Sequence, residues 1–193
     1  MPTSQHPVLQ FDPEVLLQAQ GQSEQGIRAA LLDVDGVFTD GGIYFSETGE
    51  TLKVFHTLDG FGLKMLQQAG IEPVVITGRD TAALRLRLAN LGVVHAYYGV
   101  EDKLQVAQQV MKELDLNWGQ IAAIGDDWPD LPLLTRAAFA AAPLNAHTEV
   151  KALVHYVTQV AGGHGALREF CDVLLLAGGC YDRFYRQWVK PEV

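Results

Sequence analysis

Residues 29–42 read AALLDVDGVFTDGG, an apolar run that stops at Asp33 and Asp35, with a third aspartate at position 40. An unalternating apolar run of this length, closed by a turn signal, reads as a strand buried on both faces. Carboxylates at the end of such a strand need a partner, because an uncompensated charge beside a core is costly. Whatever Asp33 and Asp35 face decides both the fold and its use.

Outward from this stretch, strands and helices alternate. GGIYFSETGETLKVFH (41–56) reads as two strands around a turn at residues 47–50, a β-hairpin. Asp59 is expected to cap a helix through LKMLQQA that Gly70 ends. IEPVVITG (71–78) is the next strand. TAALRLRLANLG (81–92) is a helix with Leu84, Leu88 and Leu91 on one face and Gly92 as its stop. VVHAYYG, a helix over 103–114, IAAIGDD (121–127), the short helix LPLLTRA and AFAAAP follow, then helices in AHTEVKALV and ALREFCDVLLLA around a short strand in HYVT. The expected fold is α/β: a three-layer, Rossmann-like parallel sheet with a projecting β-hairpin. Residues 1–26, polar and Gln-rich, read as a loose or weakly helical leader, 27–180 as one domain, and 181–193 as an aromatic, basic tail that packs, stays solvated or reaches a neighbouring site.

The chain has 193 residues, enough for one real core, and its net charge of −9 argues against a nucleic-acid partner. No run reaches the roughly 18 apolar residues of a membrane span. The first residues lack a secretory pattern. Cys171 and Cys180, without CxxC spacing, read as reduced thiols of a cytoplasmic protein.

In a parallel sheet, ligands bind outside the carboxyl ends of the strands. Asp33 and Asp35 end one strand, Thr77-Gly78-Arg79 the next, and Asp126-Asp127 a third, with Asp130 just beyond. So many carboxylates in one crevice cannot all stay ionised unless a cation joins them. Oxygen donors without His or Cys favour Mg²⁺. One aspartate could attack phosphorus and a second could shuttle the leaving-group proton. Lys103 and Thr77 are placed to hold phosphoryl oxygens, and Gly36, Gly78 and Gly125 to let backbone approach them.

DVDGV after a strand, TG after the next, a Lys opening a helix (EDK) and GDDWPD resemble, in order and spacing, the four motifs of the haloacid dehalogenase superfamily of phosphatases. More narrowly, DVDGVFTDGGIYF, FHTLDGFGLKML, TGRD, GDDWPDLPLL and GGHGALREFCD resemble its branch acting on 3-deoxy-D-manno-octulosonate (KDO) 8-phosphate, a lipopolysaccharide precursor. The resemblance implies Asp33 as nucleophile through a phosphoaspartate, and Asp35 as general acid/base. It implies Thr77 and Lys103 on the phosphoryl group, and Mg²⁺ held by Asp33, Asp126 and the Asp35 carbonyl, with Asp127 and Asp130 in support. Many superfamily members insert a cap domain, but the gaps here, 35–77 and 77–103, are too short for one. The apolar hairpin residues Ile43, Phe45, Leu52, Val54 and Phe55 instead predict a homo-oligomer in which a neighbour covers each site, and the resemblance implies a tetramer.

Substrate contacts are expected from Gly36, Thr39, Asp40, Gly78 and Arg79. Arg79 suits a substrate carboxylate or a surface role. Thr39 and Asp40 suit sugar hydroxyls, although Asp40 also reads as a turn residue before Gly41-Gly42. The GGHG segment reads as a flexible loop. Arg often stands at the position of His164 in relatives, which leaves a ligand role for His164 open. His56 reads as a satisfied structural histidine, Trp118 as packing, and Trp128 as packing or a crevice wall. A phosphatase for another sugar acid, such as a nonulosonate 9-phosphate, fits the same motifs. A phospho-receiver domain fits less well, since its Lys follows the phospho-accepting Asp and the Thr late in the chain, whereas Lys103 precedes GDD.

Overall fold

The computed structural model describes residues 9–47 and 49–189. Six strands, β1 (Ala29–Leu32), β4 (Glu72–Ile76), β5 (His95–Tyr97), β6 (Ile121–Ile124), β7 (Phe139–Ala142) and β8 (Tyr156–Val157), form one sheet in the order β5-β4-β1-β6-β7-β8. Every neighbouring pair in it is parallel. β2 (Tyr44–Ser46) and β3 (Gly49–Leu52) make the separate antiparallel hairpin.

Residue alternation along β1 divides the core. Ala30 and Leu32 join Val75, Leu63, Leu66, Leu84, Leu88 and Phe170 on one face. Ala29 and Leu31 join Val74, Ile76, Ala107, Val110 and Leu134 on the other. The first face is covered by α2 (Thr57–Ala69), α3 (Ala82–Leu91) and α7 (Ala166–Ala177), with α1 (Pro13–Gln18) and α8 (Tyr181–Val189) beside them. The second is covered by α4 (Lys103–Glu113), α5 (Leu131–Leu134) and α6 (Thr148–Leu153). Burial on both faces explains why the strands read as solid apolar runs. Gly70 and Gly92 stop α2 and α3 in the left-handed conformation, at φ of 80° and 71°.

Three local expectations need correction. Helix α2 begins at Thr57 with His56 at its N-cap, so Asp59 lies inside the first turn. The Asp59 carboxylate instead accepts from the Arg168 amide (2.8 Å) at the start of α7, tying the two helices. Phe55 does not share the exposed hairpin face, because it lies past β3 and packs against the core. GGHG is not a free loop: Gly162 is buried, its amide donating to Asn145 Oδ1 (2.8 Å), and the Gly163 amide donates to the Val37 carbonyl (3.1 Å). Among the described residues, the chain between β1 and β4 forms the hairpin and α2, and between Thr77 and Lys103 α3 and β5, with no cap domain over the sheet.

Candidate active site

The register of the central strands assembles the site. Leu32 lies beside Val75 on one side and Ile124 on the other, so the residues just past β1, β4 and β6 emerge together. The Asp33 amide still donates to the Ile124 carbonyl (3.1 Å), and the Thr77 amide to the Tyr97 carbonyl (3.0 Å). Both side chains begin from anchored backbone. After β1 the chain winds tightly on the Val34 carbonyl, which accepts from the amides of Val37, Phe38 and Thr39. Gly36 makes this turn at φ 90°, and a Cβ there would overlap the Asp126 carboxylate. Only glycine lets the Asp33–Asp35 loop approach the Asp126 loop so closely.

Lys103, at the start of α4, is buried between Asp33 and Asp130, with Nζ donating to Oδ1 of each (2.5 and 2.6 Å). The other Asp130 oxygen accepts from the amides of Asp126 (3.1 Å) and Asp127 (3.4 Å), which folds the GDDWPD turn around it. One oxygen from each of Asp33, Asp126 and Asp130 lies within 4.8 Å of the others. Burial, then the Asp130 charge, push Asp33 up to about 6 despite Lys103. Burial, then the charges of Asp33, Asp130 and Asp127, push Asp126 up to about 8. For Lys103, burial favours the neutral amine, but the two carboxylates outweigh it and raise its pKa. One ammonium against three carboxylates leaves the cluster short of positive charge, and its donors are all oxygen. That is a fit for a hard divalent cation such as Mg²⁺.

Around this centre the other sequence-predicted residues divide. Thr77 is buried, its hydroxyl accepting from the Arg79 amide (3.3 Å). Thr39 is buried with its hydroxyl accepting from the amides of Gly36 (3.4 Å) and Gly41 (3.3 Å), so it holds the loop. Asp40 is exposed and accepts from the Gly42 amide (2.8 Å), the turn arrangement. Gly78 has space toward the Val100 carbonyl. Asp127 is exposed at the rim. Trp118 packs against the second core face. Trp128 is exposed, its indole donating to His147 Nδ1 (3.2 Å). His164 is exposed, and His56 has a buried Nδ1 without a hydrogen-bond partner among the described residues, so it is not the satisfied histidine its position suggested. The described part of the C-terminal segment packs on its own chain, with Phe184 buried in the core.

Two residues that sequence reasoning passed over join the site from the hairpin. Lys53 donates to Asp35 Oδ1 and lies 3.0 Å from Glu50 Oε1. Glu50 Oε2 accepts from Arg79 Nε (3.2 Å) and Nη2 (2.9 Å). Burial tends to raise Glu50, but hydrogen bonds from Arg79 and Lys53 hold it below its ordinary value. A signal was present: in LKV the apolar Leu52 and Val54 point outward while Lys53 is buried, an inverted alternation that aims the charge at the acidic loop.

The arrangement sets a buried carboxylate against an ammonium, with a second carboxylate two residues on and amides and a hydroxyl at converging strand ends. A profile of haloacid dehalogenase-like hydrolases matches residues 97–169. A 3-deoxy-D-manno-octulosonate 8-phosphate phosphatase of Salmonella typhimurium is 39% identical, over 88% of this chain and 88% of its own. The phosphatase of that name from Escherichia coli (strain K12) is 40% identical over 82% of this chain and 84% of its own. The crystal structure of such a phosphatase from Moraxella catarrhalis, in complex with magnesium ion, phosphate ion and KDO, has a TM-score of 0.85 at 35% identity, covering 91% of this chain and 98% of that one.

Proposed function

The chain belongs to the 3-deoxy-D-manno-octulosonate 8-phosphate phosphatase family of haloacid dehalogenase-like hydrolases, and from that premise we propose that it hydrolyses this sugar-acid phosphate to the free sugar acid and phosphate. The observation that carries the reading is the seating of Asp33, buried, against Lys103 at the mouth of the central strand.

Asp33 attacks phosphorus, the bond to the sugar oxygen breaks, and a phosphoaspartate forms on Asp33. Asp35 gives its proton to the departing alkoxide. It then takes a proton from water, whose oxygen attacks the same phosphorus and frees Asp33 and phosphate. Lys103 orients Asp33 and sets positive charge beside the transferring group, while Thr77 and the Gly78 amide bind its oxygens and Gly36 lets the backbone approach them. Asp33, Asp126 and the Asp35 carbonyl would hold Mg²⁺, with Asp127 and Asp130 supporting the turn, and the bound ion offsets negative charge on the phosphoryl oxygens. Arg79, at the crevice edge, suits the substrate carboxylate, and Thr39 and Asp40 shape the side where sugar hydroxyls lie.

The reading extends to assembly and place. Ile43, Tyr44, Phe45, Leu52 and Val54 are all exposed on the hairpin, and a second copy is the partner that would cover such a self-complementary face. A tetramer built this way closes each open crevice with a neighbour's hairpin. Two free cysteines suit the cytoplasm, where lipopolysaccharide precursors are made.

Phosphate release measured with Mg²⁺ across sugar-acid phosphates tests the assignment. The octulosonate 8-phosphate should lead the panel, and Asp33→Asn should lose at least about 10³-fold in kcat. Full activity in Asp33→Asn overturns the mechanism, and a nonulosonate 9-phosphate at the head overturns the substrate.

A further inference from the structure

Asp35 leaves the sheet on the same glycine turn that carries Asp33, yet its carboxylate is aimed by the hairpin. Four charged side chains close a ring there: Asp35, Lys53, Glu50 and Arg79. Lys53 bridges Asp35 Oδ1 and Glu50 Oε1, Glu50 binds Arg79, and Arg79 Nε stands 3.9 Å from Asp35 Oδ2. The Lys53 side chain is 1% exposed, so its ammonium has given up water for these two carboxylates. The ring is electrically balanced, two positive against two negative, and it joins three segments of chain: the loop after β1, the hairpin strand β3 and the loop after β4.

We propose that Lys53 is the positioning residue for proton transfer by Asp35. This rests on Asp35 being the general acid/base. Lys53 donating to Oδ1 occupies that oxygen and fixes the plane of the carboxylate, which assigns the proton transfer to Oδ2. In the phosphorylation step the Asp35 Oδ2–H bond breaks as the new sugar O–H bond forms, and Asp35 is left as a carboxylate held by Lys53. Glu50 keeps the ammonium in place from behind and ties the arrangement to Arg79. Lys53 touches no reacting atom and acts through Asp35.

Leaving-group dependence separates this role from a merely structural one. An alkoxide needs a proton to depart, whereas p-nitrophenolate leaves readily without one. The measurement is kcat/KM, which reports the steps up to leaving-group departure, on the octulosonate 8-phosphate and on p-nitrophenyl phosphate. Lys53→Met should lose about 10- to 100-fold on the sugar-acid phosphate but no more than about threefold on the aryl ester. Asp35→Asn should show the same selective pattern, more strongly, and Lys53→Arg should restore much of the loss. Lys53→Met leaves two carboxylates facing each other, so Glu50→Gln/Lys53→Met, which keeps the charge balance, is the companion variant and should retain the selectivity. Parallel losses on both substrates in the double variant, or no loss on either, overturn the proposal. Failure of the wild-type protein to act on the sugar-acid phosphate would instead count against the function proposed above.

Discussion

Asp33 and Asp126 are placed where negative charge is least comfortable, and the discomfort has a measurable sign. Their folded-state pKa values, about 6 and about 8, lie above the ordinary 3.8. Between those limits the folded protein binds more protons than the unfolded chain, so stability falls as pH rises. In EDTA the unfolding free energy should drop by on the order of 5 kcal/mol from pH 5 to 8.5. Saturating Mg²⁺ should remove most of that slope by supplying the missing charge. Some slope should survive, because burial also pushes Asp59 up to about 6, and Asp59 is not part of the acidic cluster. Asp126→Asn should flatten the EDTA curve between pH 6 and 8. Chemical denaturation across pH checks this, and equal slopes with and without Mg²⁺ would contradict it.

Among elements, the loop before α7 braces the catalytic turn. A Cβ on Gly162 would run into the Gly36 carbonyl, and one on Gly163 into the Asp40 amide. Gly162→Ala should cost about 1–3 kcal/mol of stability and more than tenfold in kcat, because the loop it displaces carries Asp35 to Asp40. Unchanged urea midpoint and activity would show the contact to be dispensable. The parallel sheet, the hairpin and the helix stops at Gly70 and Gly92 were legible because each leaves a local mark: a solid apolar run, an alternating pair, a glycine after the last periodic residue. The meeting of Asp33, Thr77 and Asp126 was legible because strand ends in this architecture converge, and Lys103 because it opens a helix after such an end. Gly162 and Lys53 were not picked out. Their roles depend on contacts made far along the chain, Lys53 with Asp35 and Gly162 with Gly36, and no local period records such a meeting. The start of α2 was misplaced for a related reason, since a distant Arg168 amide claims the Asp59 side chain that capping statistics assign to its own helix.

At the scale of the whole molecule, one unit serves two ends. The outward face of the hairpin, with Phe45 69% and Leu52 54% exposed, is the surface proposed to meet another copy, while its inward residues Glu50 and Lys53 reach the site. Phe45→Glu combined with Leu52→Glu should shift the assembly to monomer in light scattering and raise KM for the sugar-acid phosphate, leaving the inward charges in place. A double variant with the same mass as the parent protein would count against the hairpin as the interface. The central position of β1 carries a last consequence, for biosynthesis. Ala29 pairs with Glu72 on one side and Ile121 on the other, so the strand that leads to Asp33 has no near neighbour in the chain to dock on. Such distant closures are slow. A nascent chain that has not yet emerged past Asp130 holds Asp33 without the Asp126–Asp130 turn, so the acidic cluster stays incomplete until that turn has left the ribosome.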